Sequence, residues 1–251
     1  MRIIYISRRL LSSMSLLAVT LSLVITMKIL GDNQQVAQWV NAGLNNTLPP
    51  VVYAGDERNN AVSLLFVADS SVDAECLRRH LEVLAANSAR ATFFISDTLA
   101  EEQADLVLAI SAGGHQLGNY GLDGVDPNNL DQEQNRAALQ ETNRQIAEAC
   151  GEKPLVYLAA YGAAGDEVRR AAADAGLMFV IGSIDAGSWS SSSPEDMLAA
   201  VLAEVRPGSF IVLSPDERTL QGLDTMLREL HGLGLGFYTV SDNIAWESAA
   251  Q

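Results

Sequence analysis

The feature that most constrains this chain is the alternation of short apolar runs with helical patterns. Ala61–Val67 is a nearly continuous apolar run of strand length, and Val72–Ala86 then sets Cys76, Leu77, Leu81 and Leu84 on one side of a helix. Ala91–Ile95 reads as the next strand, followed by a helix over Glu101–Ala112. His115–Asn119 is a short strand that leads through a Gly/Asp/Asn loop into a long polar helix, Asp131–Ala149. Leu155–Leu158, Met178–Ile181, Phe210–Leu213 and Phe237–Val240 read as four more strands, separated by helices at Asp166–Ala175, Pro194–Val205 and Thr219–Leu233. Pro194 suits a first helical position, with Ser193 as its cap. Seven strands alternating with helices predict parallel βα units, as a barrel or an open doubly wound sheet. In a barrel the chemistry sits on loops at the C-terminal strand ends, so those loops hold the candidate residues.

The N-terminal segment has a different character. Leu10–Met27 runs 18 residues without a charge, between Arg8-Arg9 and Lys28. That length is close to the minimum for a membrane-crossing helix, and the basic N-terminal flank places that end in the cytoplasm. The competing reading is a cleaved secretory signal, with Val40-Asn41-Ala42 as a weak cleavage candidate. No A-x-A-like site follows the apolar run directly, which favours an uncleaved anchor. The chain then divides into a cytoplasmic stub and anchor over 1–31, a polar tether over 32–50, and a globular α/β domain over 51–251, expected outside the cytoplasm. Arg2, Arg8, Arg9 and Lys28 are the only charges before Asp32, which leaves the remainder with 12 basic and 31 acidic residues, a net of −19. So acidic a domain, with no basic stripe, is not expected to bind nucleic acid. Cys76 and Cys150 fit neither a metal spacing nor a disulfide framework, and each reads as a small buried hydrophobe.

The strand-end segments, taken in order, carry a resemblance. They are Ala91-Thr92-Phe93-Phe94-Ile95, Gly114-His115-Gln116-Leu117-Gly118-Asn119, Tyr161-Gly162, Trp189, and Pro207-Gly208-Ser209-Phe210-Ile211-Val212-Leu213. No one of these is specific, but in this order and spacing they resemble the polysaccharide deacetylase (NodB-homology) family of carbohydrate esterases, from about Val51 to Val240. The resemblance implies a distorted (β/α)7 barrel. It also implies hydrolysis of N- or O-acetyl groups on chitin-like or peptidoglycan sugars, with a divalent metal such as zinc held by one Asp and two His. Such a cation polarises the acetyl carbonyl and activates a bound water, which a nearby carboxylate deprotonates. The N-terminal anchor, the Tyr53–Asp56 lead-in and the Gly-His-Gln-Leu-Gly form are similar to a sporulation-associated branch in Gram-positive bacteria.

The departures are as informative. The paired acids of the family's TFDDG motif fall on Val67 and Ala68, and the metal histidines of its H-[ST]-x-x-H motif fall on Tyr120 and Gly124. The arginine that orients the base becomes Leu158. The acid of the D-W pair becomes Ser188, beside a retained Trp189, and the histidine of the L-x-H motif becomes Ser214. None of these replacements ligates a metal in the same way or titrates near neutral pH, so neither a metal nor another cofactor is expected.

Three landmarks remain. His115 aligns with a non-ligand core histidine. Tyr161-Gly162 offers either an oxyanion-donating backbone N–H or simply a tight turn. Tyr120, Tyr161 and Trp189 together form a candidate glycan pocket. Asp69, Asp73, Asp123 and Asp126 fall on or near the two relevant loops, either as a replacement all-carboxylate site or as turn and cap residues, the second reading being favoured. His80 and His231 read as surface or flank residues. Two functions follow: a catalytically silent relative that binds a cell-wall glycan or an envelope protein, or an active metal-dependent de-N-acetylase with a rearranged site. On the predicted topology, a reporter enzyme fused after Gln251 is active only outside the cytoplasm, and cytoplasmic activity refutes the N-in, C-out orientation.

Overall fold

The computed structural model describes residues 48–186 and 193–244, and the predicted anchor, the start of the tether, Ser188 and Trp189 lie outside them. Eight strands and eight α-helices alternate through this region. They run β1 (Ala61–Ala68), α1 (Ala74–Ala86), β2 (Thr92–Ser96), α2 (Asp97–Glu102), α3 (Ala104–Ala112), β3 (Gln116–Gly121) and α4 (Gln132–Cys150). β4 (Val156–Leu158), α5 (Asp166–Asp174), β5 (Met178–Val180), β6 (Ile184–Asp185) and α6 (Pro194–Glu204) come next, followed by β7 (Phe210–Leu213), α7 (Glu217–Gly232), β8 (Gly236–Phe237) and α8 (Val240–Ile244).

Every ladder is parallel, in the order β5-β4-β3-β2-β1-β7-β6, with β8 paired to β1 off this path. No ladder joins β5 to β6 among the described residues, so the expected distorted (β/α)7 barrel is an open half-barrel of parallel strands. Two further expectations change. The strand expected at Phe237–Val240 is the two-residue Gly236–Phe237, and Val240 opens α8 instead. The two-residue β6 is an added strand, too short to leave a periodic trace in the sequence. Glu101–Ala112 also divides in two: Ser96 Oγ accepts from Leu99 N to start a helix at Asp97, and that helix ends at Gln103.

The helices begin where short polar side chains satisfy their free N–H groups. Asp73 caps α1, Ser193 caps α6 ahead of Pro194, and Asp131 caps α4 in a reciprocal capping box with Gln134. β1 is buried along nearly its whole length, and its neighbour β2 throughout. One apolar layer lies between the sheet and the helices, built on Leu64, Phe66, Phe93, Leu77, Leu223 and Leu227. A second fills the concave interior with Leu65, Phe94, Val156, Leu158, Val180 and Phe210.

α8 closes the N-terminal end of the half-barrel through a polar network. Asn243 Nδ2 donates to Ser63 Oγ at 3.0 Å, Val240 N donates to Thr92 Oγ1 at 2.9 Å, and Gln116 Nε2 donates to Ser241 Oγ at 2.6 Å. A second buried network ties β3 to α4. Asn119 Nδ2 donates to Leu139 O and to Asn143 Oδ1, both at 2.9 Å, while Asn119 Oδ1 accepts from Gly121 N.

Both histidines described inside the sheet layers are buried. His115 packs edge-on against Phe93 and accepts at Nδ1 from Ala91 N at 3.2 Å, as expected of a satisfied core histidine. The surface reading of His80 is corrected: it is fully buried, edge-on to Phe66, with Nδ1 2.8 Å from Cys76 O. Helical periodicity explains the error, because His80 follows Cys76 and Leu77 by one turn and so shares their inward face. His231 is exposed, as expected. Cys76 is buried and Cys150 half-buried, and both are free thiols.

Two predictions test this packing. A Cβ at Gly118 would stand 2.5 Å from the Phe94 ring, so Gly118→Ala is expected to lower the unfolding free energy by about 1–3 kcal/mol in a urea titration. Burial lowers the pKa of His115 to about 4 from an ordinary value near 6.5. The unfolded chain therefore takes up a proton that the folded chain refuses. Stability is full above the ordinary value and falls as the pH drops through that window, by up to about 3 kcal/mol from this residue. His80, whose pKa burial also lowers, adds to the same slope. Unfolding measured against pH is expected to show His115→Gln with a reduced acid dependence, and an unchanged slope refutes the assignment.

Candidate functional site

The C-terminal strand ends converge on one rim. β1 delivers Val67, Ala68 and then Asp69, β3 delivers Tyr120, β4 delivers Leu158, and β7 is followed directly by Ser214 and Pro215. The structure thus brings Val67, Ala68, Tyr120, Leu158 and Ser214 to the same end of the sheet, whereas Ser188 and Trp189 fall outside the described residues.

The chemistry of this rim is apolar at depth. Leu158 belongs to the interior cluster, and Val67, Tyr120 and Val212 pack against it. Ala68 is fully buried in the layer facing the helices. Gly124 is exposed with φ +67°, a left-handed conformation that glycine adopts freely. The Tyr120 hydroxyl has its pKa pushed up to about 12, first by burial and then by the negative charges of Asp69, Asp123 and Asp185 and by Tyr161. Tyr120 is therefore a neutral hydroxyl at any physiological pH.

Tyr161 stands above it, 72% exposed, with a left-handed backbone (φ 56°, ψ 17°) ahead of Gly162 at φ +66°. The turn closes through Ala163 N donating to Ala160 O at 3.1 Å, so Gly162 serves a tight turn. A non-glycine residue held there stores local strain, and its ring faces outward.

The loop carboxylates are occupied by the backbone. Asp69 Oδ1 accepts from Ser71 N at 2.9 Å, and Asp123 Oδ2 accepts from Ser70 N at 3.0 Å, which ties the β1 loop to the β3 loop. Asp126 caps a short 3-10 turn at Pro127–Asn129, and Asp73 caps α1. Among the described residues, no three of the His, Cys, Asp and Glu side chains gather as a metal would require. Ala68 and Gly124 offer no donor atom, and Tyr120 offers only its neutral phenol. This donor set does not fit a divalent metal held by one Asp and two His.

The residues that do surround open space are different ones. A cavity of about 360 Å³ opens between β1–α1 and β7–α7, lined by Val67, Asp69, Val72, Asp73, Pro215, Asp216 and Glu217 among others. Sequence reasoning placed Val67, Ser214 and the loop acids near the mouth but missed Asp216 and Glu217. Asp216 was legible as a cap, since it stands three residues before Thr219 and accepts from its N–H at 2.8 Å.

A model of the polysaccharide deacetylase family matches residues 54–180, from just before β1 to the end of β5. The chain is 31% identical over 194 residues to a chitooligosaccharide deacetylase of Rhizobium leguminosarum bv. trifolii, covering 71% of this chain and 88% of that protein. It is 26% identical over 193 residues to a peptidoglycan-N-acetylglucosamine deacetylase of Bacillus cereus, covering 75% and 70%. Among solved structures, a CE4 family pseudoenzyme from Bacillus anthracis superposes with a TM-score of 0.74 at 25% identity, over 80% of this chain and 71% of that one. A mutant of that pseudoenzyme with restored enzymatic activity superposes with the same TM-score at 26% identity, over 80% and 73%. Family model, relatives and half-barrel agree, and the chain belongs to the polysaccharide deacetylase family.

Proposed function

We propose that this chain is a catalytically silent polysaccharide deacetylase relative that binds a cell-wall glycan at the envelope, held to the membrane by Leu10–Met27 with its globular domain outside. One observation carries the silent reading. Val67, Tyr120 and Leu158, at three positions where the family places a catalytic acid, a metal histidine and an orienting arginine, pack in or against the apolar interior of the half-barrel. Hydrolysis of an acetamide needs a polarised carbonyl, an activated water and a proton donor to the leaving amine. Val67, Leu158 and Ser214 supply no titrating group near neutral pH, and the acids nearby are engaged in turns and caps.

Support for glycan binding comes from the relatives, which are named for chito-oligosaccharide and peptidoglycan substrates, and from the outward ring of Tyr161 above Tyr120. An aromatic face held at a rim is suited to stack on the C–H face of a pyranose. An envelope protein in place of the glycan is the competing partner, and peptidoglycan pull-down separates the two.

The purified chain, supplied with zinc, cobalt or nickel and offered acetylated chito-oligosaccharide or peptidoglycan, is expected to release no acetate above background. General acid–base assistance alone contributes about 10²–10⁴-fold, and here it is lost together with the metal. Asp69→Ala and Asp123→Ala are expected to leave that background unchanged. Metal-dependent acetate release that either substitution abolishes would overturn the silent reading in favour of a rearranged de-N-acetylase.

A further inference from the structure

β5 ladders with β4 on one side only, and the chain's own lead-in occupies the other. Val52 N donates to Phe179 O at 3.0 Å and Ile181 N donates to Val52 O at 2.9 Å, a parallel bridge centred on Val180. Ala54 then bridges Ser209 in the antiparallel sense, just before β7. Gly55 N donates to Gly208 O and Asp56 N to Asn243 O, both at 2.8 Å. Val51–Asp56 is therefore a strap that runs from the edge of β5 to the foot of β7 and the closing helix α8.

The strap is built as a strand. Val52 points inward, 6% exposed, into the interior cluster with Leu158, Val180 and Ile244, whereas Tyr53 points out, 57% exposed. The crossing requires glycine on both sides. A Cβ at Gly55 would stand 2.4 Å from the Asn243 side chain, and one at Gly208 would stand 2.8 Å from Gly55 O. Yet the hold is slight, because four backbone hydrogen bonds tie the strap to distant parts of the chain. Upstream, Arg169 Nη2 donates to Pro49 O, but Arg169 Nε is buried without a partner among the described residues, which offsets part of that contact.

Segments held by few hydrogen bonds at a sheet edge open at a lower free energy than the core. Val52 lies two ladder positions from Leu158, through Val180, or about 10 Å. Any load on the chain N-terminal to Pro49 enters the domain through this strap. We propose that Val51–Asp56 is a releasable latch: it opens before the rest of the domain and frees β5, the neighbour of Leu158 on the rim, while β1 and β2 stay folded. The latch is a property of the fold, whatever the rim binds.

Native-state hydrogen exchange on the full chain tests this. The amides of Val52, Gly55, Asp56 and Ile181 are expected to exchange together, about tenfold or more faster than the best-protected amides of the β1–β2 ladder. The Met178 amide, which donates to Leu155 O across the β4–β5 ladder, is expected to exchange with them. Val107 is fully buried on α3, away from the strap, so Val107→Ala is expected to speed the β1–β2 amides by about tenfold and leave the strap amides unchanged. Val52→Ser is expected to speed the strap amides by a similar factor, and Tyr53→Ser, a change to the outward side chain, to leave them unchanged. One common rate for strap and β1–β2 amides in the unmodified chain overturns the latch, whether or not the variants fold. So does a Val107→Ala variant that speeds both sets equally, or a Val52→Ser variant that speeds neither. A Met178 amide that keeps the β1–β2 rate overturns the release of β5.

Discussion

Filling the concave interior of the curled parallel sheet is the constraint on which the rest of this structure depends. A parallel sheet must be covered on both faces. The helices cover one, but the other can only be filled by side chains of the strands themselves and of the segments that close its ends. Leu65, Phe94, Val156, Leu158, Val180 and Phe210 do this from within, and Val240 and Ile244 of α8 complete the cluster. An active deacetylase has to break such an interior at the mouth to admit carboxylates, imidazoles and a cation, each carrying a large desolvation penalty. In this chain Val67, Ala68, Tyr120 and Leu158, at four of the corresponding positions, lie in or against the apolar core. Burying a Val or Leu side chain contributes about 1.5–3 kcal/mol, so apolar side chains at these positions favour the fold.

The two ends of the half-barrel differ for this reason. At the closed end the polar groups are satisfied in pairs: Ser63 with Asn243, Thr92 with Val240 N, and Gln116 with Ser241. At the open end, polar side chains that survive serve the backbone. Asp123 accepts from Ser70 N and so staples the β3 loop to the β1 loop, while Asp97 Oδ1 accepts from Asp123 N at 2.8 Å. These two bonds join the loops of the rim to one another through their backbones.

The fold was legible because apolar runs of strand length recur between capped helical patterns. Phe210–Leu213 has the predicted bounds, and β1 and β2 depart by a residue or so at their ends. What failed was short or local. β6 has two residues and no period. Val240, apolar and β-branched, reads as strand, yet it opens α8 because Thr92 Oγ1 accepts from its backbone N. His80 was misplaced because a polar residue in a helical pattern is read as outward, although its spacing from Cys76 put it inward. Closure of the barrel depends on pairing between β5 and β6, a tertiary property that no run of residues encodes. At the site, the positions that converge were legible from their order along the strands. Their joint burial was not, since Tyr120 is polar by composition and becomes part of the interior only through the neighbours that Leu158 and Val67 provide.

The acidity of the domain acquires a local meaning from this geometry. Like charges spread over a surface cost little at physiological ionic strength, because each is screened within about 8 Å. Asp69, Asp73, Asp216 and Glu217 stand together around one cavity, beside the apolar Val67, Val72 and Pro215. Three are retained for a mechanical reason, because each satisfies the backbone of a turn or a helix start. Such a role needs only one oxygen of each carboxylate, and serine or asparagine would fill it without charge. The surplus negative charge in the cavity is therefore not required by the fold.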